Sequence, residues 1–148
     1  MMTGNCETIT VLLRASLRDQ ILTAATAAEP DEACGLLLGI RETASARIES
    51  VVGLPNRTEQ NPQMHYQIDP LDFLRLDREA QLRGLEVIGV WHSHPDGSAT
   101  PSATDRALAW PDWCYLIAGR DDNGKHDLRA WRFRNDRTTE DRVTEWLP

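Results

Sequence analysis

LEVIGVWHSHPDGSATPSATD, residues 85–105, is the stretch on which the fold turns. Its first seven residues hold one charge, Glu86, and three β-branched side chains, Val87, Ile88 and Val90, as expected of a central strand buried on both faces. Thr100-Pro101 then opens a helix that ends by Trp110-Pro111. Side chains repeat every two residues along a strand, so His92 and His94 point the same way from its end, close enough to share one ion. The same spacing also suits two polar residues facing solvent. Asp105 lies in the first turns of the helix, three residues after Ser102 and on its face. A Ser102 cap would welcome an acid there for its own sake. A return from strand end to helix start also brings Asp105 opposite the histidines. Two imidazoles, one carboxylate and one water are the recurring ligands of a catalytic zinc site with an open position.

Working outward, Asp69 caps a second helix with Pro70 at its first position and Asp72 in its first turn. Leu71, Leu74 and Leu82, broadened by Phe73 and Leu76, give it an apolar stripe, and Gly84 stops it. Ahead of it, residues 56–66 are polar and irregular. Arg47–Leu54 and CGLLLGI (34–40) read as strands, the latter buried. A first helix has Ser16 and Asp19 as a capping box, Leu17, Ile21, Ala24 and Ala28 as its apolar face, and Pro30 as its end. Glu7–Leu13 is a short leading strand. Downstream, Trp113–Ala118 and Leu128–Phe133 are strands joined by the turn Asp121-Asp122-Asn123-Gly124. The last residues fit no one element. The order β-α-β-β-α-β-α-β-β predicts an α/β (α+β) fold, a central mixed sheet flanked by helices, as a single domain over residues 1–148.

The chain has 148 residues, enough for a real core without staples, and a formal charge of −7. That balance argues against a nucleic-acid binder relying on phosphate contacts and against an electrostatic membrane anchor. No run approaches the roughly 18 apolar residues of a membrane span. Cys6, Cys34 and Cys114 form no CxxC pair, so any metal must use His and carboxylate, and a cytoplasmic location is expected. Lys125 is the only lysine among sixteen basic residues. Glu32, in PDEACGLLLG, stands at the mouth of a buried strand. It reads either as an acceptor for a water's proton or as a loop acid beside Asp31.

These residues together resemble the JAMM (MPN+) metallopeptidase family. Its pattern is a distant Glu, then His-Ser/Thr-His-Pro, seven residues between the second His and a Ser, two more, and Asp. Here Glu32 is followed by His92-Ser93-His94-Pro95, with Pro95 to Pro101 as spacers, then Ser102, Ala103-Thr104 and Asp105. NRTEQNPQMHYQIDP (56–70) also looks like the short bacterial members. The resemblance implies an MPN/JAB domain of cytidine-deaminase-like architecture. It implies one Zn²⁺ with a catalytic water, held by His92, His94 and Asp105. Glu32 would take the proton from that water. Ser102 would donate to the tetrahedral oxyanion, making Thr100 the helix cap with Pro101 after it.

The implied activity is zinc-dependent peptidase or isopeptidase cleavage after the C-terminal Gly-Gly of a ubiquitin-like small sulfur-carrier protein, cysteine being one group so released. A glycine tail is narrow enough to thread a groove or pair with a sheet edge; His65 and Tyr66 are candidates to line it. One domain leaves no room for a separate recognition module, so recognition falls to the groove's surroundings or to another subunit, as in a homodimer. Arg129, Arg132 and Arg134 are candidate partners for an acidic carrier. Three alternatives stand beside this reading: a non-catalytic MPN scaffold, a RadC-like relative and a phage-tail JAMM domain. Scaffolds lack the ligands, RadC proteins normally have Asn where Ser93 stands, and phage-tail domains usually belong to longer chains.

Overall fold

The computed structural model describes residues 8–146. The elements run β1 (Thr10–Leu13), α1 (Ala15–Ala28), β2 (Cys34–Arg41), β3 (Ser45–Leu54), α2 (Pro70–Leu82), β4 (Glu86–Ser93), α3 (Ala103–Leu108), β5 (Cys114–Arg120), β6 (His126–Arg134) and β7 (Arg137–Glu145). Glu7, the expected start of the first strand, and Cys6 lie outside the described residues.

The sheet is mixed and flanked by helices, but it closes into a barrel in the order β1-β3-β2-β4-β5-β6-β7. Closure comes from the C-terminal stretch that the pattern left unassigned. β7 is antiparallel to β6 through Ala130↔Asp141, then runs parallel to β1 through Val11↔Val143. β7 has a single buried residue, Asp141, among exposed and half-buried ones, so it carries almost no apolar signal. Its register is set instead by Asp141, whose carboxylate pairs with Arg132 of β6 and accepts the backbone N–H of Ile9 at 3.0 Å.

β2 and β4 lie side by side in the middle, antiparallel, with Cys34 opposite His92. Both are apolar on both faces because both faces are covered. Leu37, Ile88 and Trp91 enter one core with Leu17 and Ile21 of α1. Leu36, Leu38 and Val90 enter the other, with Leu76 and Ala80 of α2. A side chain on Gly35 would collide with the carbonyl of Val52 and the indole of Trp91, so only glycine lets those layers meet.

Local signals held at most boundaries. Asp69 accepts the Leu71 N–H at 2.9 Å with Pro70 at the helix start, and Gly84 sits at φ +71° just past its end. Asp121 accepts the N–H of Asn123 and of Lys125 in the β5–β6 turn. Three expectations need correction. The cap of α1 is Arg14, not Ser16, and no side chain makes a capping bond there among the described residues. Leu13 remains paired with Glu145 in the barrel, so the chain must turn at once and the Arg14 carbonyl takes the first helical N–H groups. Thr100 is not the cap of α3; Ser102 is. The stripe of α2 is rotated: Leu76 and Ala80 face inward, whereas Leu71, Leu74 and Leu82 are exposed. Among the described residues no helix is long and apolar enough to cross a membrane.

Candidate metal centre and substrate groove

Strand alternation places the site. Val90, His92 and, one step past the strand, His94 face the α2 side of the sheet, while Trp91 and Ser93 face the other way. The backbone stays in register to the end, since His94 donates its N–H to the Ala118 carbonyl at 2.8 Å. Ser93, the residue between the histidines, ties in the neighbouring strand. Its hydroxyl accepts the Ala33 N–H at 2.8 Å and its own N–H reaches the Ala33 carbonyl at 3.0 Å. Ala33 thereby fixes Glu32 beside the imidazoles. The pattern gave Ser93 no such task.

The loop after His94 is pressed onto the barrel. Gly119 lets it approach, because a Cβ there would lie 2.5 Å from the Ala99 nitrogen. Trp131 of β6 donates its indole N–H to the Ala99 carbonyl at 2.8 Å. The chain then enters α3 through a reciprocal capping box. Ser102 Oγ accepts the Asp105 N–H at 3.0 Å, and Asp105 Oδ2 accepts the Ser102 N–H at 2.9 Å. The same Asp105 Oδ2 lies 3.1 Å from Nε2 of both His92 and His94, which are 3.2 Å from each other.

That triangle fits a metal. Ligand atoms about 2.0–2.1 Å from a tetrahedral ion stand about 3.3 Å apart, close to the three separations found. The donor set is compatible with one. His94 Nδ1 faces the Ser98 carbonyl at 2.8 Å and carries its proton there, so Nε2 meets the Asp105 carboxylate either as the second N–H of an imidazolium or, in the neutral form, as a bare lone pair open to a cation. A proton on Nε2 satisfies the pair without a metal, and a cation between the two lone pairs satisfies it with one. Full burial lowers the pKa of His92, which favours the neutral form that a metal requires. Burial opposes charge on His94, but its bonds to Asp105 and Ser98 prevail and raise its pKa. Burial likewise works against the Asp105 carboxylate, yet hydrogen bonds from the two imidazoles hold its pKa well below the usual range.

Glu32 completes the cluster. Its carboxylate shares a region within 4.8 Å with the ligand nitrogens of His92 and His94. It is 6% exposed, and burial lifts its pKa to about 7, with His94 pulling it down and Asp105 pushing it up. It is therefore no ordinary loop acid. Asn56, which the pattern passed over, organises the loop above it. Its amide nitrogen donates to the carbonyls of Glu32 and His65 at 3.2 and 2.9 Å, and its oxygen accepts from Thr58 and Gln67. An Asn after Leu-Pro at the head of an irregular polar stretch is the signal that could have found it. Cys34 and Cys114 are buried as expected, with burial pushing both thiols up to about 12.

A groove of about 640 Å³ leads away from Asp105. Leu36, Ile68, Phe73, Val90, Trp113 and Tyr115 form its walls, and His65 and Tyr66 lie along it as expected. Phe73, Trp113 and Trp110 stack in series beside it. Met64, Leu74, Leu108 and Trp110, all exposed, stand at its rim. The candidate arginines each pair within the chain: Arg129 with Glu140, Arg132 with Asp141 and Arg134 with Asp112.

Known proteins are similar to this chain over most of its length. The chain is 32% identical over 124 residues to the desampylase of Haloferax volcanii, covering 80% of this chain and 86% of that one. It is 33% identical over 134 residues to the CysO-cysteine peptidase of Mycobacterium tuberculosis, covering 90% and 89%. A solution structure of a Desulfitobacterium hafniense protein superposes with a TM-score of 0.83 at 30% identity, covering 95% of this chain and 94% of that one. The family model for prokaryotic homologues of the JAB domain matches residues 14–134, and to that family the chain belongs.

Proposed function

We propose that this chain is a zinc-dependent peptidase that hydrolyses the bond after the C-terminal Gly-Gly of a ubiquitin-like small sulfur-carrier protein. The observation that carries the reading is the convergence of His92, His94 and Asp105 at 3.1–3.2 Å beside the buried Glu32. Two relatives similar over most of their length are named a desampylase and a CysO-cysteine peptidase, which supports a conjugate or carrier adduct as substrate.

In this reading His92 Nε2, His94 Nε2 and Asp105 Oδ2 hold one zinc ion. Zinc supplies a Lewis acid that acidifies water and polarises a carbonyl oxygen. Glu32 accepts the proton of the attacking water and delivers it to the leaving amine. Ser102 donates a hydrogen bond from its hydroxyl to the oxygen that becomes negative in the transition state. The cap and this task are compatible, because capping uses a lone pair of Oγ and leaves the O–H to donate.

The groove takes the carrier. Its walls are apolar and run to Asp105, so an extended tail laid in it delivers its end to the cluster. The exposed rim side chains offer the carrier body an apolar contact. The single domain over residues 1–148 acts in the cytoplasm, in keeping with Cys34 and Cys114 being free thiols among the described residues. The test is to incubate zinc-loaded protein with carriers extended beyond Gly-Gly and to follow product masses. Release of the extension by wild type but not by Glu32→Gln is expected. Equal inertness of both, with the carrier still bound, would overturn the peptidase reading in favour of a scaffold.

A further inference from the structure

We infer that Tyr66 is the positioning residue for His92, taking through ring stacking the part that a hydrogen bond takes for His94. The inference rests on the ligand reading above and adds a residue to it. An imidazole ligand is ordinarily held by its second nitrogen, which donates to a carbonyl or carboxylate and fixes tautomer and ring plane together. His94 follows that rule, with Nδ1 on the Ser98 carbonyl at 2.8 Å. His92 does not. Its Nδ1 is buried and finds no hydrogen-bond partner among the described residues, although the side chain is 0% exposed.

Something else must stop the His92 ring from turning about its Cβ–Cγ bond. Tyr66 lies flat against it, with centroids 4.4 Å apart and planes 22° from parallel. His94 meets the same ring at 65°, an edge contact that leaves rotation open on that side. A stacked face blocks rotation by steric contact, since a turned imidazole would drive its edge into the phenol ring.

Tyr66 is itself anchored on both sides of its backbone. The preceding carbonyl, of His65, accepts from Asn56 at 2.9 Å, and the following N–H, of Gln67, donates to Asn56 Oδ1 at 3.1 Å. Gln67 also accepts the Arg57 N–H at 2.8 Å. Because the same Asn56 holds the Glu32 carbonyl at 3.2 Å, one amide side chain registers both the proton acceptor and the ring that backs the metal ligand.

The test measures metal affinity by chelator competition and, separately, the visible spectrum of the cobalt-loaded protein. It compares wild type with Tyr66→Phe, Tyr66→Leu and Phe133→Leu. Phe133 is a buried aromatic of the same core that packs on Tyr115, so its truncation reports loss of packing alone. Phe at position 66 keeps the stack and should bind within about twofold of wild type, whereas Leu should weaken binding about tenfold or more and alter the cobalt spectrum. Phe133→Leu should lower stability and leave affinity and spectrum unchanged. If Leu at position 66 prevents folding, Tyr66→Met, whose unbranched flexible side chain fills irregular gaps, takes its place. Wild-type affinity and spectrum in the Leu or Met variant would overturn the inference while leaving the ligand set standing. Failure of wild type itself to bind metal would remove the ligand reading and the inference with it.

Discussion

Ser102 and Asp105 hold each other: the serine hydroxyl accepts the aspartate N–H at 3.0 Å and the aspartate carboxylate accepts the serine N–H at 2.9 Å. The carboxylate that caps the backbone is the one that meets both imidazoles, so α3 and the proposed metal site are built from one contact. Two substitutions separate the serine's two tasks. Ser102→Ala removes cap and hydroxyl, and should cost about 1 kcal/mol of stability and about 10²–10³ in kcat. Ser102→Gly removes the hydroxyl but costs a cap only a few tenths of a kcal/mol. Its kcat should fall as far while its urea midpoint stays near wild type. A glycine variant with full activity would remove Ser102 from the chemistry.

Zinc should stabilise the protein by mass action. At about 1,000 times the dissociation constant the gain is about 4 kcal/mol, or roughly 10 °C in Tm for a chain of this size. Asp105→Asn keeps an oxygen for the Ser102 N–H but loses the charge between the histidines, so the zinc-induced rise over its own metal-free Tm should shrink. His92→Ala should abolish the rise. An equal rise in all three proteins would place the ion elsewhere.

The fold was legible where one physical signal dominated. Apolar runs marked β2, β4 and β5, and Asp69-Pro70 marked the start of α2, because burial and capping act through neighbouring residues. β7 was not, since its place depends on Asp141 meeting Arg132 across the β6–β7 hairpin and Ile9 from the far end of the chain. The site was legible as a spacing, but Glu32 gained its weight only from resemblance. What the structure adds is Ser93 on Ala33 and Asn56 on Glu32, side-chain bonds to a backbone distant in sequence that no periodicity encodes. The α2 stripe misled because Leu74 follows the helical repeat but borders the groove rather than the core, and Leu71 is simply exposed.

Glu32 makes the metal-free protein sensitive to pH in a stated direction. Its pKa rises from 4.5 to about 7 on folding, chiefly through burial. Below pH 4.5 both states are protonated and burial of the side chain carries no charge penalty. Between the two values the unfolded chain gives up its proton first, so stability falls as pH rises, and the loss is complete above about 7. Glu32→Gln has no such loss. In the presence of chelator the two proteins should be nearly equal at pH 4 and the variant more stable at pH 8, by on the order of 2 kcal/mol. Urea denaturation at both values measures it. A gap that does not change with pH would mean that Glu32 is not buried as described.

The groove rim gives a prediction in which stability and function part company. Leu74 and Trp110 are 60% and 65% exposed, so replacing either by Ser should shift stability by no more than about 0.5 kcal/mol. If the carrier body rests on them, each replacement gives up apolar contact worth about 1.4 kcal/mol, a tenfold rise in KM. The chemistry beside Asp105 is untouched, so kcat should stay within about twofold. A short peptide carrying only the Gly-Gly junction does not reach the rim, and its kcat/KM should be the same in wild type and both variants. Steady-state kinetics with the whole carrier adduct and with the peptide decide the matter. A matching loss on both substrates would show that the rim acts through the site itself, and an unchanged KM for the adduct would leave the carrier to bind elsewhere.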